Sequence, residues 1–391
     1  MIEPILHAFG LAFAMGWEIL WPLILGFTLS GVVQAVVSHS EMGALLPDDR
    51  PQTIAIATGL GAASSSCSYA AVALARSIFR KGGNFTAAMT FQMASTNLAA
   101  ELGIILAVLM GWQFTLAEFV GAPILVVILV ILFRLFLSPQ LLEAAKRQAD
   151  KGIAGRMEGH AAMDMSVKEK GSIWHRLRSE EGRTAISHYF VMDWASTWLD
   201  IVGGLLIAGA LAAWVPPAFW QAFFLSNHPL LAKLAGPVVG PFVAIVSFVC
   251  SVGNVPLAAV LWNGGISFGG VAAFIFGDLI IPPILNIYRK YYGGKPMLFL
   301  FVSFYVVMVI AALCVEGLFA LAGWVPGHRS ITVAVAHISF NYTAVLNIIF
   351  FITAAILVAA FFRSGGPQMM RMMASGGHGH AHTDHEHHCK D

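Results

Sequence analysis

Charge is what this chain has least of. Only 11% of its 391 residues are charged, while 58% are hydrophobic, a balance far from that of a water-soluble domain. The net charge of +1 leaves no concentrated basic surface, which excludes a nucleic-acid partner. Cysteine is scarce too. Cys67, Cys250, Cys314 and Cys389 stand far apart, so they form no disulfide framework and read as thiols. Enzyme signatures are missing: there is no Walker A loop, no dinucleotide fingerprint after a strand and no HExxH. ATP-driven pumping by this chain alone is thereby excluded, and no catalytic residue is assigned. The N-terminus, MIEPILHAFG, lacks the basic region and cleavage site of a signal peptide, so the first apolar stretch is expected to remain as a helix.

What the chain has instead is long apolar runs. A bilayer core of about 30 Å takes roughly 20 apolar residues per helix. By that window nine segments qualify: 4–37, 54–76, 84–112, 117–137, 186–214, 229–252, 266–288, 296–324 and 340–363. The fold class expected is all-α, a polytopic membrane protein of about 8–10 transmembrane helices. Residues 138–185 are the one long polar stretch, rich in Lys and Arg, and by the positive-inside tendency they are cytoplasmic. Arg76, Arg80 and Lys81 fall on the same side. Arg289, Lys290 and Lys295 do not: nine simple crossings place them outside, so either the count is off by one or some segments re-enter.

An internal similarity organises these segments. SSSCSYAAVALARSIFRKGGNFTAAMTF, from Ser64, aligns without gaps with SFVCSVGNVPLAAVLWNGGISFGGVAAF, from Ser247, an offset of 183. Identical pairs include Cys67/Cys250, Ser68/Ser251, Gly82/Gly265 and Phe85/Phe268. The organisation expected is a first membrane repeat over 1–137, a cytoplasmic linker over 138–185, a second repeat over 186–363 and a disordered His-rich tail over 364–391. Both copies are rich in small residues, and the second holds Gly253 and Pro256. Such segments free backbone groups that only protein or a water-lined cavity can satisfy, so interrupted, interior-facing helices are expected. Close packing of small residues explains the Gly and Ala, but not the paired Cys-Ser or Asn254.

The duplicated Cys-Ser motifs, each followed by a Gly turn and an F-x-A/G-A/G helix, carry a resemblance, together with CSVGNVPLA in the second copy and ASTNLAAELG after the first. They resemble the predicted-permease family that includes the organoarsenical efflux permeases, over most of residues 10–363. Two positions depart from the family pattern: Tyr69 replaces a second Cys, and Ala73 stands where a Pro is expected. The resemblance implies a permease exporting a small solute, with a thiophilic metal or metalloid species as the candidate cargo. The alternatives are a channel for a small ion or molecule and an uptake permease for a sulfur-containing solute.

The residues themselves suggest where a solute would bind. Thiolates are soft ligands suited to thiophilic ions and trivalent metalloids, so Cys67 and Cys250 could hold one such centre between the repeats, with Ser68, Ser251, Asn97 and Asn254 beside them. Each Cys could equally be a small buried apolar residue. Intramembrane acids are costly and hence candidates for function. Glu101 follows Asn97 by one helical turn, and Asp278 has a similar place after the second copy; one of these two acids is expected to couple protons, with Asn286 along the path, the alternative being that both are protonated or hydrogen-bonded helix-packing groups. Glu118 and Glu316 read as interfacial anchors near span ends. The tail carries His378, His380, His382, His385, His387, His388 and Cys389, a density that suits Zn, Ni or Cu at ill-defined geometry. No other cofactor is indicated. The partners expected are the lipid bilayer and a small solute, a homo-oligomer being open, and the location expected is a bacterial inner membrane.

Overall fold

The structure is a computed structural model that describes residues 2–36, 45–64, 68–80, 82–149, 173–224, 228–247, 251–329 and 342–375. All regular elements among them are helical. In chain order they are α1 (Ile2–Val36), α2 (Pro51–Ser64), α3 (Ser68–Arg80), α4 (Phe85–Asn97), α5 (Ala100–Leu109), α6 (Trp112–Phe136), α7 (Pro139–Ala149), α8 (Ile173–Arg178) and α9 (Glu180–Trp214). There follow α10 (Pro217–Phe223), α11 (Pro229–Ser247), α12 (Ser251–Gly264), α13 (Phe268–Phe276) with a 3₁₀ turn at Gly277–Ile280, and α14 (Pro282–Tyr292). The last three are α15 (Gly294–Ala322), α16 (Tyr342–Arg363) and α17 (Gly366–Ser375).

Five helical spans among the described residues are long and apolar enough to cross a membrane, or up to seven if each of two bent pairs is one span. The sequence suggests nine, and one of the nine, 54–76, departs from a simple crossing for a local reason. Residues 54–76 do not cross as one span: α3 leads back to the start of α4, the end from which α2 sets out. Residues 186–214 lie within the 35-residue helix α9, which runs antiparallel to α1. Trp214 Nε1 donates to Pro4 O at 3.0 Å at one end, and Gly31 abuts Ile186 O at the other.

Both short-helix pairs are hairpins. Helix α2 runs parallel to α4, because Gly61 packs on Phe91 and Ser95 while Asn84 N, just before α4, donates to Leu46 O, just before α2. The chain then returns along α3 to the same end, where Arg76 donates to Ala149 O of α7 at 3.1 Å. Helix α11 runs parallel to α13, with Gly236 on Ser267 and Gly240 on Gly270 and Phe274. Helix α12 brings the chain back to that end, where Arg329 donates to Trp262 O and Ile266 O. The first hairpin opens at the end that holds α7 and the close of α6, tied by Arg134 Nε to Asp49 Oδ2 at 2.7 Å. The second opens at the opposite end, where Phe114 of α6 meets the Trp262 ring at 5.2 Å.

The hairpins remove the charge conflict. Gln148 of α7 donates to Lys290 O, so the Arg289–Lys295 segment lies at the same end as α7, with its Lys146 and Arg147, as the positive-inside tendency requires.

The bends have identifiable origins as well. Helix α1 turns by 48° between Glu3–Trp17 and Ile19–Leu29. The Asn347 amide of α16 bonds to both members of an i→i−4 pair there: its Oδ1 accepts from Trp21 N and its Nδ2 donates to Trp17 O, each at 2.9 Å. A side chain inserted into the i→i−4 ladder is a recognised cause of kinking. The pair Phe268–Ile280 and Pro282–Tyr292 bends by 43°. There Ile281 is extended (φ −67, ψ 149) ahead of Pro282 and Pro283; proline pushes its predecessor out of the helical region and itself starts helices well.

Candidate functional site

The breaks in the helices bring polar groups to the middle of the bundle. Helix α4 stops at Asn97, Leu98 and Ala99 leave helical geometry, and α5 starts again at Ala100. No proline forces this interruption. Asn97 turns its amide back on its own helix, with Nδ2 donating to Met93 O at 2.9 Å and to Thr96 Oγ1 at 3.1 Å. Such local bonds are what make Asn compete with helix continuation. Its Oδ1 is buried with no hydrogen-bond partner among the described residues.

The contact that ties the two halves together is between side chains. Ser68, the first residue of α3, donates its hydroxyl to Asp278 Oδ2 at 2.6 Å, and both residues are fully buried. The tip of the first hairpin therefore reaches the break between α13 and α14. Two more bonds build out from there: Ser64 and Ser95 hydroxyls lie 2.9 Å apart, and Gln92 of α4 donates to the Tyr288 hydroxyl of α14. Asn254 on α12 is also fully buried, with neither amide atom partnered among the described residues. Glu101 begins α5 against Gly26 of α1, where an added Cβ would stand 2.0 Å from the Glu101 Cβ. That approach admits only glycine.

Sequence reasoning misplaced one acid. Glu118, read as an interfacial anchor, is 1% exposed on α6, and neither carboxyl oxygen has a hydrogen-bond partner among the described residues. The signal was present, since the acid lies in the second turn of a 25-residue apolar helix, but starting that span at 117 placed it at an end. Glu316 is no anchor either: it is buried, and its Oε2 accepts from Gly269 N. Gln92, Tyr288, Ser64 and Ser95 were not singled out because their chemistry emerges only from their partners.

Of the residues expected to form the site, Ser68 and Asp278 are in direct contact, while Asn97, Glu101 and Asn254 are buried in the same bundle interior. Asn286 is not brought to them; it is exposed and accepts from Arg289 at 3.1 Å. Ser251 opens α12, its side chain outside the described set. Cys67, Cys250 and the C-terminal histidines with Cys389 lie outside the described residues. Among the described residues no group of three or more His, Cys, Asp or Glu is placed to hold a metal ion.

Interrupted helices, hairpins from both ends and polar side chains buried where they converge define a multi-pass membrane protein built around an interior polar site, the construction of a transporter. Comparison with known proteins agrees. Residues 5–317 match the family described as "Predicted permease", and the chain belongs to that family. A protein of Mycobacterium tuberculosis (strain ATCC 25618 / H37Rv) named "Putative permease Rv2963" is 63% identical over 350 residues, covering 90% of this chain and 86% of that protein. No solved structure matches. The family and the apolar helices place this chain in the cell membrane as a multi-pass protein.

Proposed function

We propose that this permease is a secondary carrier with one solute site between two inverted repeats, and that it exports a small thiophilic species such as a trivalent organoarsenical. The observation that carries this reading is the Ser68–Asp278 bond. It sets Ser68, the residue that follows Cys67 in the sequence, against the broken helix of the other half, the position that carriers built from inverted repeats use for binding. The repeat is supported by helix starts that recur 183 positions apart: α4 and α13 begin at Phe85 and Phe268. Turns at Gly82 (φ 96) and Gly265 (φ 108) precede the caps Asn84 and Ser267, which accept from Ala87 N and Gly270 N. The oppositely directed hairpins support an inverted relation.

In this reading Cys67 and Cys250 supply the soft ligands, with Ser68, Ser251, Asn97 and Asn254 around them, and Glu101 or Asp278 couples the flux to protons. The test is uptake into inverted membrane vesicles of methylarsenite, soft metal ions and small sulfur compounds. We expect C67S and C250S each to lower methylarsenite uptake at least tenfold, and D278N or E101Q to abolish its dependence on a pH gradient. Undiminished uptake in both Cys variants removes thiol coordination. The tail histidines His378–His388 and Cys389 are proposed to gather Zn, Ni or Cu; truncation after residue 370 that leaves metal tolerance unaltered rejects this.

A further inference from the structure

The joint between the halves has three ties, one above another. Ser68 to Asp278 is the deepest. Nearer the Lys- and Arg-rich end, Gln92 of α4 donates to the Tyr288 hydroxyl of α14. One turn further along α14 the Arg76 guanidinium lies over the Tyr291 ring, 4.2 Å from its centroid. Arg76 stands on α3 about 12 Å beyond Ser68, and α3 packs along α14. The two helices therefore form a seam that runs from the middle of the bundle to the end that the positive-inside tendency makes cytoplasmic.

The seam encloses polar groups whose bonding is incomplete. Gln92 Oε1 and the Tyr292 hydroxyl are buried with no hydrogen-bond partner among the described residues. Buried polar atoms are ordinarily satisfied by protein or water, so these two mark a place where water or a solute can be taken up. The Tyr292 ring is flanked by Phe79 and Phe85, at 6.2 and 5.4 Å between centroids. Arg76 and Tyr291 cover the mouth, 6% and 2% exposed, and Arg76 also donates to Ala149 O, the last carbonyl of α7, at 3.1 Å. A guanidinium is costly to keep from water. At the end of the bundle it has only to swing outward to exchange a ring face and a carbonyl for solvent.

We propose that the α3–α14 seam is the cytoplasmic gate of this permease, shut by Arg76 on Tyr291, with Gln92, Tyr288 and Tyr292 lining the route behind it. The gate rests on the reading above that the solute site lies between the halves. Opening moves α3 away from α14: Arg76 leaves Tyr291 and Ala149, the Gln92–Tyr288 bond parts, and water reaches the level of Ser64 and Ser95, whose hydroxyls are paired one turn deeper on α4.

The experiment reads side-specific labelling of the full-length protein in right-side-out and inverted membrane vesicles, in a background free of native cysteines. S95C supplies the probe thiol at a fully buried position, and the reagent is a charged, impermeant methanethiosulfonate. R76Q and Y291A are each expected to speed labelling at least tenfold from the cytoplasmic face and to leave the rate from the other face unchanged. Y291F, which keeps the ring under Arg76, is expected to label as slowly as the parent. R134Q removes a cation from the same end, where it binds Asp49, and is expected to change nothing. Equal acceleration from both faces, which is loosened packing, overturns the proposal, as does unchanged labelling in R76Q and Y291A. If R76Q fails to fold, Y291A against Y291F decides. No solute is present in the assay, so failure to move methylarsenite sinks the export reading and leaves the gate standing, while transport with unchanged labelling does the reverse.

Discussion

Single side chains carry the joint between the halves. The Ser68 hydroxyl is bonded to a buried carboxylate, and hydrogen bonds to charged groups contribute about 1.5–3 kcal/mol. S68A is therefore expected to lower unfolding stability in detergent by about that amount, whereas S68T keeps the donor and most of the stability. Glycines give a sharper contrast, because two of them share one helix and differ only in what faces them. A Cβ on Gly61 would stand 2.4 Å from Phe91 O, while one on Gly59 meets nothing within 4 Å. Overpacking against backbone costs about 1–3 kcal/mol, so G61A is destabilising, while G59A gains up to about 1 kcal/mol of helix propensity. Thermal melts of the two variants side by side check the pair. Gly61 and Gly59 look alike in the sequence; only the packing of α2 on α4 separates them.

Among the elements, the two helix breaks were unequally legible. Pro282-Pro283 announces the second, since proline cannot continue the helix before it. The first has no such mark, and Asn97 turning on its own backbone can be seen only in the folded chain. The start of α2 is held by a local device. Asp48 accepts from the Thr53 hydroxyl and from Arg50 N, and these bonds, the Thr53 bond first, hold its carboxyl below the usual carboxylate range, aided by the Arg50 charge and opposed by partial desolvation. Because the folded value is the lower one, this stabilisation is complete above the ordinary carboxylate range and is lost only as pH falls through the depressed value. Between pH 5 and 7, amide exchange of the first turn of α2, normalised for intrinsic rates, should be unchanged in the wild type. In D48N it should be faster throughout.

At the scale of the whole molecule, the hairpins decide which way the loops face. Arg147 and Lys290 flank a direct α7–α14 contact, and Lys233 lies on α11 near the opposite end, where the second hairpin opens. In a background free of native cysteines, R147C and K290C should react with an impermeant maleimide from one side of the membrane only, and K233C from the other. Nine simple crossings separate 147 from 290 instead, so reaction of those two from opposite sides would contradict the hairpins.

The sequence by itself determined that this chain lives in a membrane, because apolar runs of this length have no other stable place, and that its interior is interrupted, because Gly, Pro and Cys-Ser motifs are poor material for a lipid-facing helix. It also marked Ser68 and Asp278 singly as site candidates. Tertiary structure decided the rest: that 54–76 turns back instead of crossing, that Ser68 and Asp278 touch across 210 residues of chain, that Asn286 faces away, and that Glu118 is an interior acid. Hydropathy measures the cost of leaving water, which neighbouring residues share as a run. Partnership between polar groups depends on distances between helices that no local pattern encodes.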